Sequence, residues 1–232
     1  MSVRLVLVCC LAACNLATAE AQEATPAVDT PAKSGVGPST VDSSESRVRN
    51  SYARIFDALM NRDGKTASKL VTRKTLDFYE QCRQTALDSS SIDFEQIGQM
   101  EVLLVFQLRY LSSREELSKM TGRDVFQWGV ERGLVSEKGM KGVSLNRVQI
   151  DGDVAYATVL KNREPVPGLA FRFAREDGVW VFDMLYISKA VEPAFAEIRK
   201  QAKKSKTELA VFLMEQTYKE QIPFEILNGP LR

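Results

Sequence analysis

The feature that most constrains this chain is a change of hydrophobic period at Val143. Upstream, apolar residues recur at helical spacing. Over residues 143–150 they alternate, and after the turn signal Asp151-Gly152 the alternation resumes as Val-Ala-Tyr-Ala-Thr-Val-Leu. A loop with Pro165, Pro167 and Gly168 leads to a third extended run, residues 169–175, and Asp177-Gly178 turns the chain into a fourth, residues 179–187. Period two places successive side chains on opposite faces of a strand, and Asp-Gly between two such runs is a strong hairpin signal. The pattern predicts a four-strand antiparallel meander. Its last strand reads as apolar on both faces, with Val179, Val181, Leu185 and Ile187 on one and Trp180, Phe182, Met184 and Tyr186 on the other. Such a sheet needs a cover on each side.

Helices on either side of the meander can supply the covers. Val48, Tyr52, Ile55, Phe56 and Leu59 share one helical face, with Gly64 as the expected C-cap. A second helix is expected over residues 66–87, broken by Ser89-Ser90-Ser91. A third, over 93–111, is apolar around most of its circumference and should be central. Ser113 with Glu116 makes a capping box for a short fourth helix, and Phe126, Trp128 and Val130 mark another, closed by Gly133. After the sheet, Phe195, Ile198, Ala202, Leu209, Phe212 and Leu213 form an apolar stripe, and Ser205 with Glu208 caps a further segment.

The N-terminus reads as an export signal. Arg4 precedes an apolar run over 5–13, too short for a span of roughly 20 apolar residues. Two processing readings stand side by side. Ala17-Thr18-Ala19 fits cleavage by an ordinary signal peptidase, which makes 1–19 the signal. Leu11-Ala12-Ala13-Cys14 resembles a bacterial lipobox, which ends the signal at 13 and makes Cys14 the lipidated first residue. The expected location is the periplasm, free or held to the outer membrane by a lipid at Cys14. Residues 20–45, rich in Ala, Thr, Pro, Ser and Gly and biased to acids, read as a disordered linker. The domain is expected over 46–187, with a C-terminal helical extension over 188–232.

The chemistry available is narrow. The chain has 232 residues, a formal net charge of +1 and no histidine. The balance gives no field that points to nucleic acid, and the missing imidazole removes Ser-His-Asp and Cys-His catalysis and His-ligated metals. Of four cysteines, Cys9, Cys10 and Cys14 lie in the signal or anchor, which leaves Cys82 as a buried small hydrophobe and the fold without an intramolecular disulfide. No metal spacing, phosphate loop or nucleophile elbow is present, so neither metal nor cofactor is expected. The basic run Arg199, Lys200, Lys203, Lys204, Lys206 is read as the solvated face of a packed helix rather than as a membrane-binding surface.

Helices followed by a meander with an Ile-Asp-Gly-Asp hairpin (148–157) and an Arg-Glu-Asp-Gly-Val-Trp-Val-Phe-Asp hairpin (171–183) resemble the NTF2-like, cystatin-like α+β superfamily. The resemblance implies N-terminal helices packed on a curved sheet that encloses a conical pocket. It covers 46–187, and the added C-terminal helices would plug the cone or cover the outer face of the sheet. Members include ketosteroid isomerases, polyketide cyclases, dehydratases and many exported domains. Under that reading the pocket candidates are Tyr52, Tyr156, Trp180, Asp183 and Tyr186. Asp183, mid-strand between Phe182 and Met184 and sharing a face with Val181 and Leu185, is the one candidate general base, or else the partner of Arg172 or Arg147 or a residue that points to water. The leading expectation is a non-enzymatic domain that binds a small apolar ligand or an envelope protein. An isomerase- or cyclase-like enzyme using Asp183 and a homodimeric assembly factor are the alternatives.

Overall fold

The computed structural model describes residues 43–88, 92–134 and 141–231. The signal, Cys14, most of the linker and the Ser89-Ser90-Ser91 break lie outside the described residues. The chain is α+β, with a curled four-strand antiparallel sheet in the order β1-β2-β3-β4. Before the sheet come α1 (Ser44–Met60), α2 (Gly64–Ala67), α3 (Arg73–Leu87), α4 (Gln99–Leu111), α5 (Arg114–Lys119) and α6 (Gly122–Glu131). The strands are β1 (Val143–Asp151), β2 (Val154–Lys161), β3 (Glu164–Glu176) and β4 (Val179–Phe182). After them come α7 (Met184–Ala190), α8 (Glu192–Ala202), α9 (Lys206–Tyr218) and a terminal 3-10 turn, Phe224–Leu227.

The meander is as expected, but its limits move at both ends. Lys161 pairs with Glu164, so Asn162 and Arg163, both at positive φ, form a two-residue hairpin turn where a proline-rich loop was expected. Pro165 and Pro167 belong to β3. They are tolerated because β4 pairs β3 only between Phe173 and Glu176, leaving the proline stretch with one neighbour. At the other end β4 stops at Phe182. Asp183 caps α7 by accepting the Tyr186 N–H at 3.1 Å, so residues 184–187 are helical. The expected second apolar face of the last strand is cut short: Val181 is buried there, but Met184, Leu185, Tyr186 and Ile187 follow a helical period.

The concave face of the sheet carries Ala155, Ala157, Val159, Leu169, Phe171, Phe173, Trp180 and Phe182, all buried. Helix α1 crosses this face and is fastened to it by polar bonds. Ser51 Oγ donates to Trp180 O at 2.6 Å, Tyr52 OH to Val143 O at 3.1 Å and Arg49 Nη2 to Asn146 O at 2.6 Å. Ile187, Val191, Phe195 and Leu209 join the same apolar cluster, so the C-terminal helices help to fill the concavity. The outer face instead bears Tyr156, Thr158, Ala170, Arg172 and Ala174, none of them buried.

A second core lies in the helical layer, where Val102, Leu103, Phe106 and Leu108 of α4 meet Cys82, Leu117, Val125, Met214 and Ile226. As its pattern predicts, α4 is buried almost all round. Arg109 is 0% exposed, and its guanidinium donates to five carbonyls: Thr85, Ala86 and Asp88 at the end of α3, and Ile226 and Leu227 of the terminal turn, at 2.6–3.1 Å.

Several helix boundaries differ from the sequence expectation. Helix α1 starts at Ser44, capped by Ser43, inside the expected linker. The chain leaves α1 through Arg62 at φ 55°, not through Gly64, which opens α2 against the Gln127 backbone. The expected helix over 66–87 is split, because Val71 bridges to Phe182 and Thr72 then caps α3. Helix α4 begins only at Gln99, since Asp93 holds a local turn by accepting the Glu95 N–H. The capping boxes at Ser113 and Ser205 form as expected.

Helices α3 and α6 touch at Gly122, where a Cβ would lie 2.5 Å from both the Glu80 N and the Leu76 O. Gly122→Ala must therefore force two backbones apart. The expected loss is about 2–3 kcal/mol, from overpacking, read as a shifted urea midpoint with unchanged slope.

Candidate functional site

Three of the five pocket candidates come together, but on the outer face of the sheet. Tyr156 and Arg172 are cross-strand partners, and Asp183 N donates to Arg172 O at 2.9 Å, so Tyr156, Arg172 and Asp183 form one row on the outer face. The ring of Tyr186 packs edge-on to Tyr156, with centroids 5.8 Å apart. Asp183 is 5% exposed; one carboxylate oxygen is ion-paired with Arg172 Nη1 while the other caps α7. Burial works against the charge of Arg172, but Tyr156 and Asp183 more than offset it, holding the guanidinium above the usual arginine range. A carboxylate with both oxygens engaged is a poor general base. It is positioned as a cap and an ion pair.

Tyr52 and Trp180 lie elsewhere, in the concave core. Burial pushes the Tyr52 hydroxyl up to about 12, and its proton is committed to the Val143 carbonyl. Trp180 is 4% exposed. Cys82 is buried, and its thiol is raised well above its ordinary value by burial and by the neighbouring Glu101, the reverse of what a reactive thiol requires. The basic run divides its charge. Arg199 donates to Gln99 and Glu192, Lys206 Nζ donates to the carbonyls of Glu95 and Ile97, and Lys204 lies over the Phe212 ring, while Lys200 and Lys203 face solvent. Among the described residues no group of His, Cys, Asp and Glu could hold a metal, and no helix is long and apolar enough to cross a membrane.

The helical layer carries a cleft that the sequence did not announce. It has a volume of about 620 Å³ and opens between α3, the first turn of α4 and the α7–α8 corner. Phe78, Met100 and Leu185 give it apolar surface, and Ser188, Lys74 and Lys189 stand on its walls. Glu192 also borders it but is occupied, with Oε2 accepting the Gln99 N–H at 3.0 Å and Oε1 facing Arg199. Glu101 differs. Its Oε1 is buried without any hydrogen-bond partner. Burial raises this carboxyl above the ordinary value, against smaller opposing effects from Gly98 and Lys206. The signal for it lay in α4 itself: a helix apolar on all sides must bury whatever polar residues it carries.

Compared with known proteins, the chain matches no family model, no curated protein and no solved structure.

Asp183 is thus expected to matter for stability. Asp183→Ala removes a helix cap and unpairs a mostly buried arginine, which should cost about 2 kcal/mol, whereas Asp183→Asn keeps a good capping side chain and should cost about half as much. Equal losses in chemical unfolding would show that the cap contributes little.

Proposed function

We propose that this protein is an exported NTF2-like domain that holds a small, largely apolar ligand in the cleft between α3, α4 and α7, and that it does so without catalysis. The observation that carries this reading is the placement of Asp183: the one candidate base sits on the outer face with both oxygens engaged. The order of helices, meander and C-terminal helices and the curl of the sheet support the NTF2-like reading. Buried apolar residues fill the concave face of the sheet, and the cleft in the helical layer supports the reading, with the size of a small-molecule site and the expected mix of apolar wall and few polar groups. On this reading the signal delivers the domain to the periplasm. Processing at Cys14 would tether it through the linker to the outer membrane, while cleavage after Ala19 would release it.

Native mass spectrometry of the mature protein purified from its own host tests the proposal. The expected spectrum shows a mass above that of the chain, lost on denaturation, and Ser188→Trp, which places a large ring on the cleft wall, should abolish the excess while leaving circular dichroism unchanged. A bare wild-type mass, or an excess that survives in Ser188→Trp, would contradict it.

A further inference from the structure

We infer that the cleft selects ligands that carry a hydrogen-bond donor, a hydroxyl or an ammonium, at the end of an apolar body, with Glu101 as the acceptor. The inference rests on the cleft being the binding site. Glu101 is the third residue of α4 and lines the cleft. Its Oε1 is buried with no hydrogen-bond donor. A buried acceptor without a partner is destabilising, and the terminal torsion of a glutamate is soft. The unsatisfied oxygen can therefore turn to a donor that enters the cleft. Phe78, Met100 and Leu185 form the apolar wall on which such a ligand's body would lie.

The other charges at the cleft do not compete for this role. Glu192 already accepts from Gln99 and Arg199. Lys74, Lys189 and Asp77 are exposed side chains, and an ion pair at such positions contributes little. Glu101 is the desolvated group, and desolvation is what converts one hydrogen bond into selectivity. A site with a buried acceptor penalises an anionic ligand of the same shape, because two acceptors then face each other without a proton between them.

The probes are octylamine, octanol and octanoate, which share one apolar chain and differ at its head. Binding to the mature protein is followed through the methyl resonance of Met100 in methionine-labelled protein. Octylamine, octanol or both should shift that resonance and bind at least about tenfold more tightly than octanoate, a difference of roughly 1.4 kcal/mol. Binding by octylamine alone assigns an ammonium as the natural donor; binding by both shows that a hydroxyl suffices. In Glu101→Gln the side chain offers an amide N–H₂ to the cleft, so the ranking should reverse in favour of octanoate. Lys74→Met with Lys189→Met should leave the wild-type ranking unchanged. Octanoate binding as well as the others, or an unchanged ranking in Glu101→Gln, overturns the donor selectivity while leaving the cleft as a binding site. No shift of Met100 with any of the probes removes the cleft reading itself.

Discussion

The rest of the structure depends on one buried cation. Arg109 sits near the C-terminal end of α4, fully enclosed, and spends its donors on the carbonyls of Thr85, Ala86, Asp88, Ile226 and Leu227. The last carbonyls of a helix have no partners within it and carry the negative end of its dipole. A guanidinium suits them, since its charge meets the dipole and its planar fork reaches several oxygens at once. Phe94 adds its ring face, 5.4 Å from the guanidinium carbon. Burial still tells on Arg109, pulling it down to about 10, which leaves it charged at neutral pH. One side chain thereby joins the end of α3, the middle of the helical layer and the end of the chain. The Leu231 N–H, donating to the Arg109 carbonyl at 2.9 Å, closes the same junction from the backbone side.

Helix α4 is held at its other end by a second polar set, with Glu192 on the Gln99 N–H and the Gln99 side chain on the Lys206 carbonyl. Fixed at both ends, it leaves no freedom to its first turn, which presents Met100 and Glu101 to the cleft. The division of labour follows. The sheet and α1 make a filled apolar core whose polar groups are engaged, whereas the helical layer contains an opening with an unsatisfied acceptor. A binding site is better placed where rigid elements meet around unspent polarity than where every bond is made.

Much of the fold was legible in the sequence because local rules and tertiary packing agreed. The Asp177-Gly178 turn, the capping boxes at Ser113 and Ser205 and the all-round apolar α4 each rest on short-range chemistry that the core does not contest. Failures came where they disagreed. Residues 184–187 continue the apolar run of the last strand, but Asp183 caps a helix there, and no local pattern distinguishes a capping Asp from one in mid-strand. Asn162 and Arg163 form a turn that the neighbouring prolines obscured. The candidate site was legible only in part: Tyr156, Asp183 and Tyr186 do gather, but the sequence could not say on which face, since a strand's inner side is set by what packs on it. Glu101 and Arg109 were overlooked because polar residues in an apolar helix gain meaning only when their partners, over 100 residues away for Ile226, are in place.

The most direct measurement is urea unfolding of Arg109→Met and Arg109→Lys, followed in parallel by far-ultraviolet circular dichroism and tryptophan fluorescence. Trp180 reports the sheet core, and Trp128 packs against the helical one. If Arg109 anchors the structure, Met, which removes the guanidinium donors from five carbonyls, should cost about 3–5 kcal/mol. Lys, which lacks the fork, should recover less than half of that loss, and both probes should move together. A loss below about 1 kcal/mol in Arg109→Met, within the range of an ordinary surface change, would contradict the account and show that α4 and the C-terminal turn hold their places without this clamp.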